Sequence, residues 1–518
     1  MTKDARTEFA GGPANLSPAA GTAAPDSTGF FGHPRGLATL FFTEMWERFS
    51  YYGMRAILIL FMTAAATGNN PGLGLGTEKA GAIYGMAIAL VYMMALPGGW
   101  VADRILGQRK AVFYGGILIA AGNFSLAITG LTTFYLGLLL IILGTGLLKP
   151  NVSTMVGELY PEGGARRDAG FSIFYMGINL GAFFSPLVVG YIGQRIDWGL
   201  GFATAGVGMV LGLIQYVLTG KYLGTAGLKA DFKDAADLAR QKRNLVIGLI
   251  LFALVGLGLY LSGITIETVA GSTTVILVSL TALYFLFVLT AGGLTREEKG
   301  RVGAIGVLFL AASVFWSGFD QAATSLNLVA AQLTDLGLLG WEVPASWLQS
   351  VNPLLIITFA PVFAWLWVWL SRRNAEPSSP GKFSIGLVLM GSGFAVMMIG
   401  TSGVVQGGQM TMTWLVLTYF LHTLAELFLS PVGLSTVTKL SPHRMVGQMM
   451  GIWFMAASLG NLIAGQVAGQ LGVGEESGQI SAAAAVEIFQ VVAIIAVGFG
   501  VLLALFTPVV KRMMGGVK

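Results

Sequence analysis

The chain has 518 residues, 55% of them hydrophobic and only 11% charged, with a mean hydropathy of +0.74. Its apolar residues come in runs of the ~20 residues that a helix needs to cross a bilayer, which excludes a soluble globular chain and indicates an all-α polytopic membrane protein. Cysteine is absent, so disulfide and thiolate chemistry are excluded, and the net charge of +5 is spread over short loops, so no nucleic-acid partner is expected.

Residues 1–36 are rich in Gly, Ala, Pro, Ser and Thr and hold no apolar core segment, so they read as a disordered cytoplasmic tail and not as a cleaved signal peptide. The first span, about 37–66, carries Glu44, Glu47, Arg48 and Arg55. A charge at the centre of a spanning helix costs roughly 2.5–3.5 kcal/mol on insertion scales, so these four need one another, water or a ligand. At 100° per residue, Glu44, Glu47, Arg48, Tyr51, Tyr52 and Arg55 fall on one side of the helix, and that side is expected to face a polar cavity.

Further spans are expected near 78–101, 110–130, 132–157, 169–193 and 199–221. A charged stretch, 229–243, precedes two more at 244–262 and 272–294, and six follow near 303–333, 346–371, 383–402, 411–437, 447–471 and 483–510. The count is fourteen transmembrane helices, parsed as six, two and six: a bundle over 37–221, a cytoplasmic connector with an extra helix pair over 222–302, a second bundle over 303–512 and a cytoplasmic tail over 513–518. Alternate loops carry nearly all the loop Lys and Arg while the opposite loops hold only Lys79 and Arg195, so both termini are expected to be cytoplasmic.

The groups lying deep in spans are Glu44, Glu47, Arg48, Arg55, Lys149, Asp320 and Glu426. With four acids against three bases, one acid can take a proton while the others pair, which is the physical basis of a proton switch. No Cys/His cluster and no phosphate-cradling Gly-x-x-x-x-Gly-Lys-Ser/Thr run occurs, so neither a metal, a cofactor nor ATP-driven transport is expected.

Gly98-Gly99-Trp100-Val101-Ala102-Asp103-Arg104, continuing to Lys110, resembles the cytoplasmic signature of the major facilitator superfamily. That resemblance implies a fold of two six-helix bundles with the substrate bound between them near the midplane. It gives Asp103 and Arg104 the role of a conformational gate. More specifically, Glu44-x-x-Glu47-Arg48-Phe49-x-Tyr51-Tyr52-Gly53, Leu148-Lys149-Pro150-Asn151-Val152 and Phe174-Tyr175-x-x-Ile178-Asn179-x-Gly181 resemble the signatures of the bacterial proton-dependent oligopeptide transporter family. The family implies a proton-coupled symporter of di- and tripeptides. Carried over residue by residue, Arg55 and Lys149 would receive the peptide carboxylate and Glu426 its amino group. Asn179 and Asn352 would bond its ends or backbone, Tyr52 and Tyr92 would line the pocket, and Trp316, Trp453 and Phe454 would form side-chain pockets. Proton coupling would fall to Glu44, Glu47, Arg48 and Asp320.

Structural readings stand beside these. The charges near Glu44 could be an ion-pair cluster only, Lys149 could snorkel to the cytoplasm, the aromatics could be core or interface anchors, and Asn179 and Asn352 could be interhelical hydrogen bonds. His422, one turn before Glu426, reads as a packing residue. The expectation is thus an importer of the bacterial inner membrane working as a monomer, with protons, short peptides and lipid as its partners. It is not an enzyme, since no nucleophile with a nearby base is found. The alternatives are another small solute such as nitrate, or a receptor that binds peptide without transporting it.

Overall fold

A backbone in hydrocarbon must satisfy its own hydrogen bonds, so the long apolar runs become helices. In the computed structural model, residues 29–516 are described except 163, 229, 233, 473 and 475–477; most of the expected N-terminal tail (1–28), two lysines of the connector and the last two residues lie outside the described residues. The first six spans are α1 (Arg35–Thr63), α2 (Thr77–Val101), α3 (Gln108–Leu126), α4 (Leu131–Glu158), α5 (Gly164–Arg195) and α6 (Trp198–Thr219). The extra pair is α7 (Ala235–Ser262) and α8 (Ile266–Ala291). Then come α9 (Arg296–Phe319), α10 (Ser325–Leu333), α11 (Val351–Arg372), α12 (Ser379–Val405), α13 (Met412–Leu440), α14 (Val446–Gln470) and α15 (Ala482–Met513). Among the described residues twelve helices are long and apolar enough to cross a membrane. Helices α1 and α3 complete the expected fourteen, the first diluted by its five charged residues and the second by its Gln108-Arg109-Lys110 start.

Helix α1 lies against α5 and α6, α3 against α4 and α6, and α2 against α4. In the second set α12 packs on α13 and α15, and α9 on α14, α12 and α15. The two sets meet where α2 crosses α14 and where α5 meets the short turn Ala345–Ser350 that leads into α11. Glycine makes the first of these contacts possible, since a Cβ on Gly81 would lie 2.2 Å from the Gly465 carbonyl and one on Gly465 would lie 2.3 Å from that of Gly81. Within the first set, a Cβ on Gly98 would lie 2.0 Å from the Gly146 carbonyl, whereas one on the adjacent Gly99 would meet nothing within 4 Å. Overpacking costs about 1–3 kcal/mol or more. Gly98→Val is therefore expected to lower the thermal unfolding temperature in detergent by several degrees and Gly99→Val to leave it unchanged.

Three elements differ from the sequence expectation. The span near 303–333 is two helices, α9 and α10, joined by a 3-10 turn at Asp320–Ala323, and Thr324 leaves helical geometry at φ −121, ψ −96. Irregular backbone at membrane depth survives only where protein covers it or a cavity receives it, and here it carries Asp320. Helix α7 begins at Ala235 and not near 244, because Asp234 caps it by accepting from the Asp237 N–H at 2.7 Å. Helix α1 starts at Arg35, inside the segment read as tail, and His33 before it is buried with Nδ1 2.8 Å from the Tyr160 hydroxyl. The extra pair is peripheral: Asp237 is the one buried residue of α7, while α8 rests on α2 and α14, where Gln466 donates to the Thr274 hydroxyl at 2.9 Å.

Candidate functional site

Helix α1 is buried over most of its length, and Glu44, Glu47, Arg48 and Arg55 are among its buried residues. Arg48 pairs with Glu44 at 3.1 Å and with Glu47, all three no more than 3% exposed. Its guanidinium also lies over the rings of Tyr51 (5.1 Å) and Tyr52 (5.9 Å). One guanidinium faces two carboxylates, and Lys149 from α4 is a further cation near both. Lys149 is half-buried with Nζ 4.3 Å from the centroid of Tyr92, so it points inward and does not snorkel.

About two turns further along α1, Arg55 forms a buried ion pair with Asp320 from the broken helix, and its Nε donates to the Tyr84 hydroxyl at 2.5 Å. These two ions come from opposite sets of helices. Between the sets lies a cavity of about 200 Å³, lined from the first by Tyr52, Arg55, Tyr92 and Asn179 and from the second by Trp316, Asp320, Asn352 and Glu426. Asn352 donates to the Glu426 carboxylate at 3.0 Å and to the Thr423 hydroxyl at 3.0 Å, which fixes Glu426 toward the space. Asn179 is tied to its own helix through the Tyr175 carbonyl at 3.0 Å. A guanidinium and a carboxylate brought to one cavity by different sets of helices suit a small solute carrying both signs of charge.

Three expected contacts lie outside this lining. Lys149 stands behind Tyr92; Trp453 is buried edge-on to Phe383; and Phe454 is 38% exposed. His422 does line the cavity, with Nε2 3.2 Å from the Met390 carbonyl and its ring 4.8 Å from that of Phe394, in the notch that Gly393 leaves open. Asp103 and Arg104 sit on a π-helical turn, Ala102–Leu106, tied to the connector: Asp231 N–H donates to the Asp103 carbonyl at 2.6 Å and Arg104 reaches the Asp231 carboxylate at 3.3 Å. Sequence reasoning missed Tyr84, Tyr175, Gln349 and Tyr419. A tyrosine in an apolar span carries a hydroxyl that needs a partner, which was the available signal for Tyr84 and Tyr419.

Two sets of helices around a cavity that holds buried ions define a transporter of the major facilitator fold. A crystal structure of peptide transporter POT in complex with sulfate matches with a TM-score of 0.88 and 42% identity over 95% of this chain and 98% of that one. A POT family transporter in complex with 5-aminolevulinic acid matches at 0.84 and 35%, covering 94% and 98%. The chain belongs to the POT family, whose model matches residues 109–486. It is 42% identical over 463 residues to the peptide transporter YePEPT of Yersinia enterocolitica, covering 87% of this chain and 90% of that one. It is 38% identical over 502 residues to the di-/tripeptide transporter of Lactococcus lactis subsp. cremoris, covering 94% and 98%. The family's members are transporters and not enzymes.

Proposed function

We propose that this protein is a proton-coupled symporter that imports di- and tripeptides by alternating access. The observation that carries the reading is the placement of Arg55 and Glu426, from different sets of helices, in the lining of one cavity. A peptide's carboxylate goes to Arg55, with Lys149 behind it, and its ammonium to Glu426, with Asn179 and Asn352 on its backbone. A zwitterion held this way bridges the units 37–221 and 303–512 and favours their closure, so binding energy goes into the conformational change. Tyr52, Tyr92 and Trp316 line the side-chain space. Trp453 and Phe454 join it in another stage of the cycle, and Asp103 and Arg104 latch the cytoplasmic side.

Proton coupling falls to Asp320 and to the Glu44/Glu47/Arg48 cluster. A proton on Asp320 loosens its pair with Arg55 and frees that cation for the peptide carboxylate; loss of the proton inside restores the pair and expels the substrate. The distribution of Lys and Arg among the loops supports cytoplasmic termini in a bacterial inner membrane, and a cavity contained within one chain supports a working monomer. The names of the relatives support peptide as cargo.

Liposomes with an imposed pH gradient test the whole reading. Labelled dialanine should accumulate above equilibrium and a protonophore should abolish this. Saturable binding without accumulation would make the protein a receptor, and competition by nitrate but not by peptides would change the cargo.

A further inference from the structure

A cation at the end of a spanning helix needs an anion or water, and α11 ends in two, Arg372 and Arg373. The helix runs back to the side of the bundle that carries the connector, since α9 and α10 lead away from it. Only Pro353, Ile356 and Phe363 of α11 are buried, so most of its surface faces outward, where a span of this hydropathy meets lipid. On that surface Trp365, Trp369 and Arg373 follow one another at four-residue spacing and form a ladder. The two indoles stack with centroids 6.1 Å apart, and the Arg373 guanidinium lies 4.0 Å from the centre of the Trp369 ring. Trp365 is 62% exposed and Trp369 37%, so the ladder is open along its length.

A second cation stacked on an indole at the same end of the helix is complete within the protein. Lys382 is buried, its Nζ lies 4.2 Å from the centre of the Trp367 ring, and it pairs with Glu376 at 2.6 Å. Trp367 in turn packs edge-on to Phe363 and Phe428. Arg373 differs: it is exposed, and among the described residues its side chain has no hydrogen bond and no carboxylate within ion-pair distance, while Glu376, the nearest acid in sequence, is taken by Lys382. Stacking holds a guanidinium by its face and leaves the N–H fork in its plane free, the geometry that receives two oxygens of one phosphate. We propose that this face of α11 binds an anionic phospholipid of the connector-side leaflet, with its phosphate on Arg373, its glycerol region against Trp369 and one acyl chain running past Trp365. Indoles settle where headgroup meets chain, and cations beside that level attract anionic headgroups. A zwitterionic lipid suits the face less well, because it brings a cation of its own to a surface where neither Arg372 nor Arg373 has an acid paired with it among the described residues. Such a site is independent of what the cavity carries.

The chain has no cysteine, so a fluorophore on Val362→Cys, an exposed position about one turn deeper on the same face, reports on this face alone. The full-length protein is placed in phosphatidylcholine vesicles that hold a small fraction of a lipid with a nitroxide on its acyl chain. Quenching by nitroxide phosphatidylglycerol should correspond to about fivefold tighter association than quenching by nitroxide phosphatidylcholine, the preference that one cation near the surface confers. Arg373→Gln should bring this ratio below about twofold, and Trp369→Leu, which removes the ring that aims the fork, should lower it as well. Arg372→Gln loses the same charge with no indole beneath it and should keep the ratio above about threefold. If Arg373→Gln does not assemble, Arg373→Ala carries the same comparison. An equal fall in Arg372→Gln would mean attraction by diffuse surface charge, and an unmoved ratio in Arg373→Gln would mean that the headgroup is held elsewhere. A fluorophore that neither lipid quenches in the otherwise unchanged protein would mean that protein covers the face, such as a second copy of this chain. Each of these three results overturns the proposal.

Discussion

Asp320→Asn should abolish concentrative peptide uptake while leaving peptide exchange across the membrane in place. One proton moving down 100 mV supplies about 2.3 kcal/mol, a gradient of roughly 50-fold for a neutral zwitterion, and the variant should lose all of it and reach only equal concentrations. An amide at this position is neutral throughout the cycle, as the protonated acid is for part of it. Arg55, which Asp320 holds in a buried pair, is then always available to the peptide carboxylate. Uptake driven by an imposed pH gradient and counterflow with peptide on both sides separate the two effects. Accumulation that survives in the variant would show that the proton is carried elsewhere, with the Glu44/Glu47/Arg48 cluster the next group to test. Loss of counterflow as well would show that the carboxylate is needed to seat Arg55, because removing one member of a buried ion pair leaves the other charge uncompensated.

The residues that make this experiment possible were largely legible in the sequence. Insertion cost alone singles out Glu44, Glu47, Arg48, Arg55, Lys149, Asp320 and Glu426, because a charge in a span must find a partner, and the fold indeed brings Arg55 to Asp320 and Arg48 to Glu44 and Glu47. Hydropathy likewise locates the helices, to within a few residues at most ends. It fails where the cause is local or tertiary. The break at Asp320–Ala323 has no proline to announce it and depends on the cavity and on α14 beside it. The start of α7 depends on a cap at Asp234 inside a charged stretch that hydropathy assigns to a loop. Trp453 and Phe454 show a further limit: the family resemblance implies a place near the site, but the packing of α14 decides which side chains reach the cavity.

Glu426→Gln should weaken binding of dialanine by at least about 30-fold while leaving an N-acetylated dipeptide unaffected. Truncating one partner of a desolvated charge pair typically costs 2–5 kcal/mol, and 2 kcal/mol is about 30-fold in Kd. The glutamine is nearly the same size and keeps an oxygen for the Asn352 amide, which donates to Glu426 at 3.0 Å, so the wall of the cavity should keep its shape. What disappears is the charge proposed to receive the ammonium. An N-acetylated peptide has no ammonium to offer, so for that ligand the two proteins should be equivalent, and the difference between the ligands isolates the one interaction as a double-mutant cycle does. Equal weakening of both ligands would mean that the substitution damages the cavity itself, and equal binding of both would remove Glu426 from the substrate site. Arg55 provides the mirror experiment, in which amidating the peptide's carboxyl end should make the ligand insensitive to Arg55→Gln. Both cycles closing on their own end of the peptide would fix its direction across the cavity, with its carboxyl end toward α1 and its amino end toward α13.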